Sequence, residues 1–209
     1  MMKLYFSAGS CSASCHIAIE ETGMSYQPMK VDFDKPDATL AEMERLNPLG
    51  AAPVMVSSDG RTLTQNIAIL EHIADSNPAS KLLAAPGTWE RLETMSWTSF
   101  VASDLHKAFL PLFMGKSMAS TEAAQGEIAE FAKKDIAKLL TYVDGKLANR
   151  DYLMGKIFTI ADSYLFVVVG WCKWVGVTTE PYSNLNAFMT RTYQRPAVQK
   201  ALKMQGLLN

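Results

Sequence analysis

Residues 3–23, "KLYFSAGSCSASCHIAIEETG", decide how the chain begins to fold. "KLYFS" (3–7) alternates polar and apolar side chains and reads as a strand. "SASCHIAIEETG" carries Ala13, Ile17 and Ala18 at helical spacing and stops at Gly23, a helix with a glycine C-cap signal. The turn that joins them holds Cys11, with Cys15 one helical turn further in. Free backbone N–H groups and the helix macrodipole favour an anion at such a helix start, so the Cys11 thiol is expected to ionise below its ordinary range. The other reading of both cysteines is packing, because free cysteine is commonly buried, and Cys15 is expected to face the sheet. The pair is C-x-x-x-C, not C-x-x-C. Sulfurs four helical positions apart, ~6 Å at Cα, would be strained by a bridge, so no internal disulfide is expected.

Outward from this stretch, "YQPMKVDF" (26–33) reads as a second strand, its Pro28 suited to a sheet edge. "DATLAEMERLNP" gives a helix that ends before Pro48. "APVMVSSDGRTLT" is a hairpin about an Asp59-Gly60 turn. "QNIAILEHIADSNP" is a helix with Ile67, Leu70, Ile73 and Ala74 on one face, halted at Asn77-Pro78. The order β-α-β, α, hairpin, α builds a small mixed sheet flanked by helices. It is the order of the thioredoxin-like fold, whose reactive cysteine sits at the first strand-to-helix turn.

"ASKLLAAPGT" (79–88) reads as a linker, and everything beyond it as helical. "WERLETMSWTSFVASDLHKAFLPLF" reads as one long amphipathic helix, kinked near its end by Pro111. "TEAAQGEIAEFAKKDIAKLLTYVDGKLAN" is a second, carrying Ile128, Phe131, Ile136, Leu139, Leu140 and Val143. A third begins at "FTIADSYLF", where Thr159 and Asp162 have the spacing of a capping box. Two shorter helices follow, "LNAFMTRTYQ" and "PAVQKALKM", the latter with Pro196 in its first turn. The expected organisation is an α/β domain over 1–78, a linker over 79–88 and an all-α domain over 89–209.

The 209 residues are 48% hydrophobic and 20% charged, ordinary for a globular chain that holds one large domain or two small ones. Residues 1–78 carry a net −5 and the remainder +4, which fits a boundary near residue 78. The overall charge of −1 gives no electrostatic case for nucleic acid or a membrane surface. The apolar run "SYLFVVVGWC", cut off by Lys173, falls short of the ~18 residues of a membrane span. No signal-peptide pattern opens the chain, so a cytoplasmic protein is expected. Three cysteines make no disulfide framework, and no Cys/His cluster has zinc spacing, so no metal is expected. Of the three histidines, His72 is expected to face solvent. His16 stands beside a core isoleucine with no evident partner. His106, in "SDLHKAF", is either a satisfied helix residue or a site residue.

Together "KLYFSAGSCSASCHIAIEETG", "NPLGAAPV", "LTQNIAILEHIAD", "DLHKAFLPLF" and "FTIADSYLF" span nearly the whole chain. In this order and spacing the sequence resembles the bacterial glutathione transferases, the beta class in particular. The resemblance implies a thioredoxin-like first domain, an all-helical second domain, glutathione as co-substrate and a homodimer. It carries the family's cysteine onto Cys11, beside the glutathione sulfur, and its histidine onto His106. Pro53 matches a cis-proline, and Ala52 before it would pair with the cysteinyl main chain of glutathione as an added strand. Gln65 and Asn66 match the pair that holds the γ-glutamyl end at a helix N-terminus; helix capping is the structural alternative for both. Lys35 would reach the glycine carboxylate. Ser99, Ser103 and Asp104 match positions near the ligand, some of them reaching across a dimer. The chain departs from the pattern where the family's N-terminal tyrosine falls on Phe6. Tyr5 should face away, because strand side chains alternate. Further departures are Gln65-Asn66, where an acidic residue followed by Gly or Ser is common, and Ser99, where Asn is common.

Three activities follow from these residues. In the first, a bound glutathione thiolate attacks a small hydrophobic electrophile, held by the Cys11 N–H, the helix end and His106. Phe109, Phe113, Met114, Trp171 and Trp174 then either line the acceptor pocket or form core. In the second, Cys11 itself exchanges with disulfides. In the third, the fold is kept as a non-catalytic binding or regulatory protein.

Overall fold

A computed structural model describes residues 1–208; Asn209, the last residue of the expected helical domain, lies outside the described residues. The first half is built on β1 (Met2–Ser7), α1 (Ser12–Thr22), β2 (Tyr26–Val31), α2 (Ala38–Leu46), β3 (Val54–Val56), β4 (Thr62–Thr64) and α3 (Asn66–Ser76). The strands form one sheet in the order β2-β1-β3-β4. β2 lies parallel to β1, with Met2 opposite Tyr26 and Ser7 opposite Val31, an arrangement that needs the α1 crossover. β3 and β4 add antiparallel, Tyr5 facing Val54 and Val54 facing Thr64. Pro28 falls on the edge strand β2, where one side needs no ladder partner.

Strand periodicity divides β1 between two faces. Leu4 joins Ile17 of α1 and Ile69 and Ile73 of α3, and the Phe6 ring lies 4.4 Å from His16. Tyr5 points the other way and is buried with Val31, Leu40, Met43 and Val54 beneath α2. One helix pair therefore covers one face of the sheet and α2 covers the other.

Past a 3₁₀ turn at Pro78–Ser80 the chain is helical: α4 (Trp89–Phe100), α5 (His106–Met118), α6 (Glu122–Leu147), α7 (Ile160–Gly170), α8 (Cys172–Val175), α9 (Ser183–Tyr193) and α10 (Pro196–Met204). The long helix expected from Trp89 is broken, but not by Pro111. A π turn over Val101–Leu105 separates α4 from α5, and α5 runs through Pro111 to Met118. A π turn adds a residue to the coil and re-aims the side chains that follow it, His106 first among them. On α6 the buried stripe is Ala132, Ile136, Leu140, Val143 and Leu147. Phe131, expected with the apolar residues of this helix, is 73% exposed, since one residue off the stripe is about 100° round the helix. No helix among the described residues is long and apolar enough to cross a membrane.

α1 is the principal element joining the two halves. Ser12 through Ile19 are all buried, because α1 packs on α3 on one side and on α7 and α10 on another. A helix enclosed all round finds partners for most of its polar side chains internally, although His16 Nε2 is buried without one. Ser12 Oγ donates to the Ser7 carbonyl at 3.1 Å and Ser14 Oγ to the Cys11 carbonyl at 2.7 Å. His16 Nδ1 meets Gln205 Nε2 at 2.9 Å. The expectation that His16 has no partner is thus corrected: its partner lies 189 residues along the chain, beyond the reach of any local pattern.

Candidate active site

The turn from β1 into α1 is fixed by its own backbone and serines. Ser10 N–H donates to the Ser7 carbonyl at 3.1 Å, and Ser10 Oγ accepts from Ser12 N–H at 3.2 Å. Gly9 has φ +74°, in the left-handed region. A Cβ there would also come within 2.6 Å of Trp174 Cη2, so a side chain would have both to adopt a disfavoured φ and to push the indole aside. Cys11 follows as the cap residue of α1, half-buried, its Sγ 3.9 Å from the Ala52 carbonyl oxygen. Burial pushes the Cys11 thiol up to about 11, while the backbone N–H groups of Cys11 and Ser12 pull it down. The expected drop at the helix end is therefore overturned: desolvation of the anion outweighs the amides. Cys15 is fully buried in the core cluster that holds Leu4 and Met55 of the sheet, and its Sγ lies 3.1 Å from Asn66 Oδ1 at the start of α3.

The peptide Ala52-Pro53 is cis. The loop before it is held by Asn47, whose Nδ2 donates to the Ala51 carbonyl at 2.8 Å and whose carbonyl accepts from Gly50 N–H at 2.9 Å. Gln65 turns the chain from β4 into α3 at φ +72°, a left-handed conformation that costs a non-glycine residue about 1–3 kcal/mol. Neither Gln65 nor Asn66 spends its side chain on capping α3. Asn66 is buried, its Nδ2 donating to Ser14 Oγ at 2.9 Å and its Oδ1 facing Cys15. Its side chain ties α3 to α1, which leaves its backbone and the Gln65 side chain for any ligand.

His106 opens α5. Its Nδ1 is 2.7 Å from the Tyr164 hydroxyl, and its ring stands edge-on to Trp171 at 4.7 Å. Burial, with a smaller contribution from the Lys107 charge, pulls His106 down to about 4, so it is neutral near neutral pH. Tyr164 is held well above the usual phenol range, chiefly by burial. It therefore stays protonated, and where its O–H donates to Nδ1 the proton of neutral His106 sits on Nε2.

These groups wall two adjoining clefts. The smaller, of about 360 Å³, is lined by Ala52, Pro53, Gln65, Asn66, Lys107 and Tyr164 among others. The larger, of about 690 Å³, is mostly apolar, with Phe33, Phe113, Met114, Trp171 and Trp174 in its wall. Cys11, Ala51, Ala52 and His106 line both. Of the five aromatic and methionine residues singled out in the sequence, Phe109 alone is core without a place in the wall, being fully buried. Lys35 lies exposed in the loop after β2 and lines neither cleft. Ser99, Ser103 and Asp104 are exposed outside both; Ser103 Oγ donates to the Ser99 carbonyl and to Asp104 Oδ2, at 2.8 and 2.6 Å. His72 is exposed, as expected.

Asn47, Lys107 and Tyr164 escaped the sequence reading. Lys107 could have been found as the neighbour of His106. Tyr164 could not, because its partner is 58 residues away. Among the described residues no group of three His, Cys, Asp or Glu side chains could hold a metal ion.

The comparisons with known proteins agree with one another. Residues 1–75 match the glutathione S-transferase N-terminal domain and residues 101–196 the glutathione S-transferase C-terminal domain. The chain is 35% identical over 207 residues to the glutathione S-transferase GstA of Escherichia coli O157:H7, covering 99% of this chain and 100% of that one. It superposes on the beta class glutathione S-transferase of Sphingomonas chungbukensis with a TM-score of 0.90 at 39% identity, over 99% and 100% of the two chains. A sphingomonad glutathione S-transferase complexed with glutathione gives a TM-score of 0.86 at 39% identity, over 98% and 99%.

Proposed function

This chain belongs to the glutathione S-transferase family, and from that premise we propose how its residues divide the work of transferring glutathione to a small hydrophobic electrophile. Glutathione takes the smaller cleft. Its cysteinyl main chain pairs with Ala52, beside Pro53, as an added strand. The γ-glutamyl end meets Gln65 and the Asn66 backbone at the N-terminus of α3, where a carboxylate is favoured. Lys107 supplies a cation in that cleft, a role that the exposed Lys35 does not fill.

The glutathione sulfur then lies at the wall common to both clefts. The protonated Cys11 thiol and the amides at the start of α1 donate to the developing sulfur anion. His106, whose Nδ1 receives the Tyr164 O–H, presents its Nε2–H to the same sulfur as a further donor, and the thiol proton passes to solvent. The sulfur forms a bond to the electrophilic carbon and the leaving group departs with its electron pair. The apolar cleft of Phe33, Phe113, Met114 and Trp174 holds the acceptor. The observation that carries this reading is that Cys11, Ala52 and His106 stand in both walls, so a sulfur held there faces an apolar partner. Mixed with glutathione and a chloronitroarene, the protein should form conjugate faster than the uncatalysed reaction; a rate at background rejects the reading. Disulfide exchange through Cys11 fits less well. Exchange needs a thiolate, burial keeps this thiol protonated, and Cys15 is turned toward Asn66.

The rest of the proposal concerns assembly and place. Trp97, Phe100 and Tyr142 pack within 5.7 Å of one another between α4 and α6, and the same two helices carry the exposed Trp89, Leu92 and Phe131. Such an apolar face supports a homodimer. The exposure of Ser99, Ser103 and Asp104 supports their reaching the partner's site and not their own. Three free cysteines support a reducing compartment, the cytoplasm. The domain division at residues 78 and 88 is supported by the change from sheet to helix there.

A further inference from the structure

Gln205 stands just past the end of α10 and is 1% exposed. Both ends of its side-chain amide are engaged. Oε1 accepts from the Gly9 N–H at 3.0 Å, across 196 residues of sequence. With Oε1 so engaged, Nε2 is the donor to His16 Nδ1 at 2.9 Å. The other side of the same turn is also held, because the Gly9 carbonyl accepts from Trp171 Nε1 at 2.9 Å. Trp171 in turn stacks edge-on against His106. Gly9 is two residues before Cys11, in the left-handed conformation that aims the chain into α1. The turn that carries Cys11 is therefore gripped by the far end of the chain on one side and by the indole under His106 on the other.

We infer that Gln205 is a positioning residue for the transferase site: it clamps the Gly9 peptide and so sets where the Cys11 thiol and the first amides of α1 meet the glutathione sulfur. The inference rests on the proposed placement of glutathione. Gln205 makes no hydrogen bond to Ala52, Gln65 or Asn66, which grip the tripeptide. Its loss therefore disturbs the chemistry and spares the binding. His16 is neutral, pulled down to about 4 by burial, and so is a fit acceptor for Nε2.

The test compares Gln205→Ala with Gln205→Glu, which keeps an oxygen acceptor for Gly9 N–H. With glutathione and a chloronitroarene, Gln205→Ala should lower kcat by about 10- to 100-fold with KM for glutathione within roughly twofold. Gln205→Glu should recover most of kcat. Amide hydrogen exchange, read by mass spectrometry on a peptide spanning Gly9, needs no turnover. Gln205→Ala should exchange faster there, and Gln205→Glu should remain protected. Unchanged kcat in folded Gln205→Ala, a rise in KM alone, or unchanged exchange at Gly9 would overturn the clamp. A wild-type protein without conjugating activity would instead overturn the proposed function, and the exchange measurement would still decide the clamp.

Discussion

At Cys11 two opposed influences act on one sulfur. The first amides of α1 stabilise an anion, and burial opposes it more strongly. The thiol is then a hydrogen-bond donor at neutral pH and not a nucleophile. Alkylation of Cys11 by iodoacetamide should accelerate continuously up to about pH 11, without the plateau that a thiolate formed near neutrality would give. A plateau below about pH 8 would show the helix end prevailing. Tyr164 sets the proton position on the second catalytic group. Tyr164→Phe keeps the ring and deletes the bond to His106 Nδ1. A hydrogen bond worth about 1 kcal/mol corresponds to a roughly five- to tenfold fall in kcat. Glutathione affinity should hardly change, and unaltered kcat would remove Tyr164 from the mechanism.

Elements were legible in the sequence wherever a local period or a local cap writes them. β1 shows its alternation, α1 its Gly23 stop, and α7 its box at Thr159 and Asp162, because each signal is confined to a few neighbouring residues. The π turn before His106 has no such signature; "VASDL" has ordinary helical composition, and Pro111 drew attention to the wrong place. The box also does more than its spacing conveys. Asp162 Oδ2 accepts from Thr159 N–H and Oγ1, at 2.8 and 2.7 Å, and Oδ1 accepts from Leu153 N–H at 2.8 Å. It thus pins the loop before α7 as well as the helix start. Thr159→Ala should cost about 1 kcal/mol of stability, the ordinary worth of an N-cap. Asp162→Ala orphans buried backbone donors on two segments and should cost about 3 kcal/mol. Urea unfolding separates them; equal losses would mean that Asp162 is only a helix cap.

The whole molecule is held by contacts whose partners are far apart in sequence, and these are what the chain read as a string concealed. Cys11, Pro53 and His106 could be listed as candidates, but not Gln205 on Gly9, nor Arg195, whose guanidinium grips Glu21 at 2.6 and 2.8 Å and lies over Phe158. His16 belongs to the same seam. It is fully buried against Phe6, Tyr26 and Gln205, with no charged side chain beside it in these contacts. Burial pulls it from about 6.5 down to about 4, and His106 likewise. Between those values the unfolded chain binds protons that the folded chain refuses. Stability from each histidine is therefore complete above the unfolded value and is lost as pH falls toward the folded one. The slope is about 1.4 kcal/mol per pH unit for each, so His16 alone is worth about 3 kcal/mol across the window. Urea midpoints should fall steeply from about pH 7 to about pH 5. His16→Asn offers an acceptor to Gln205 without a titrating group, so the His16 share of about 1.4 kcal/mol per pH unit should disappear in the variant. Asp162, pushed up to about 6 by burial, offsets part of the net slope below that pH in both proteins. A wild-type stability that is flat over this interval, or a slope undiminished in His16→Asn, would mean that the seam between α1 and the end of the chain admits the charged imidazole.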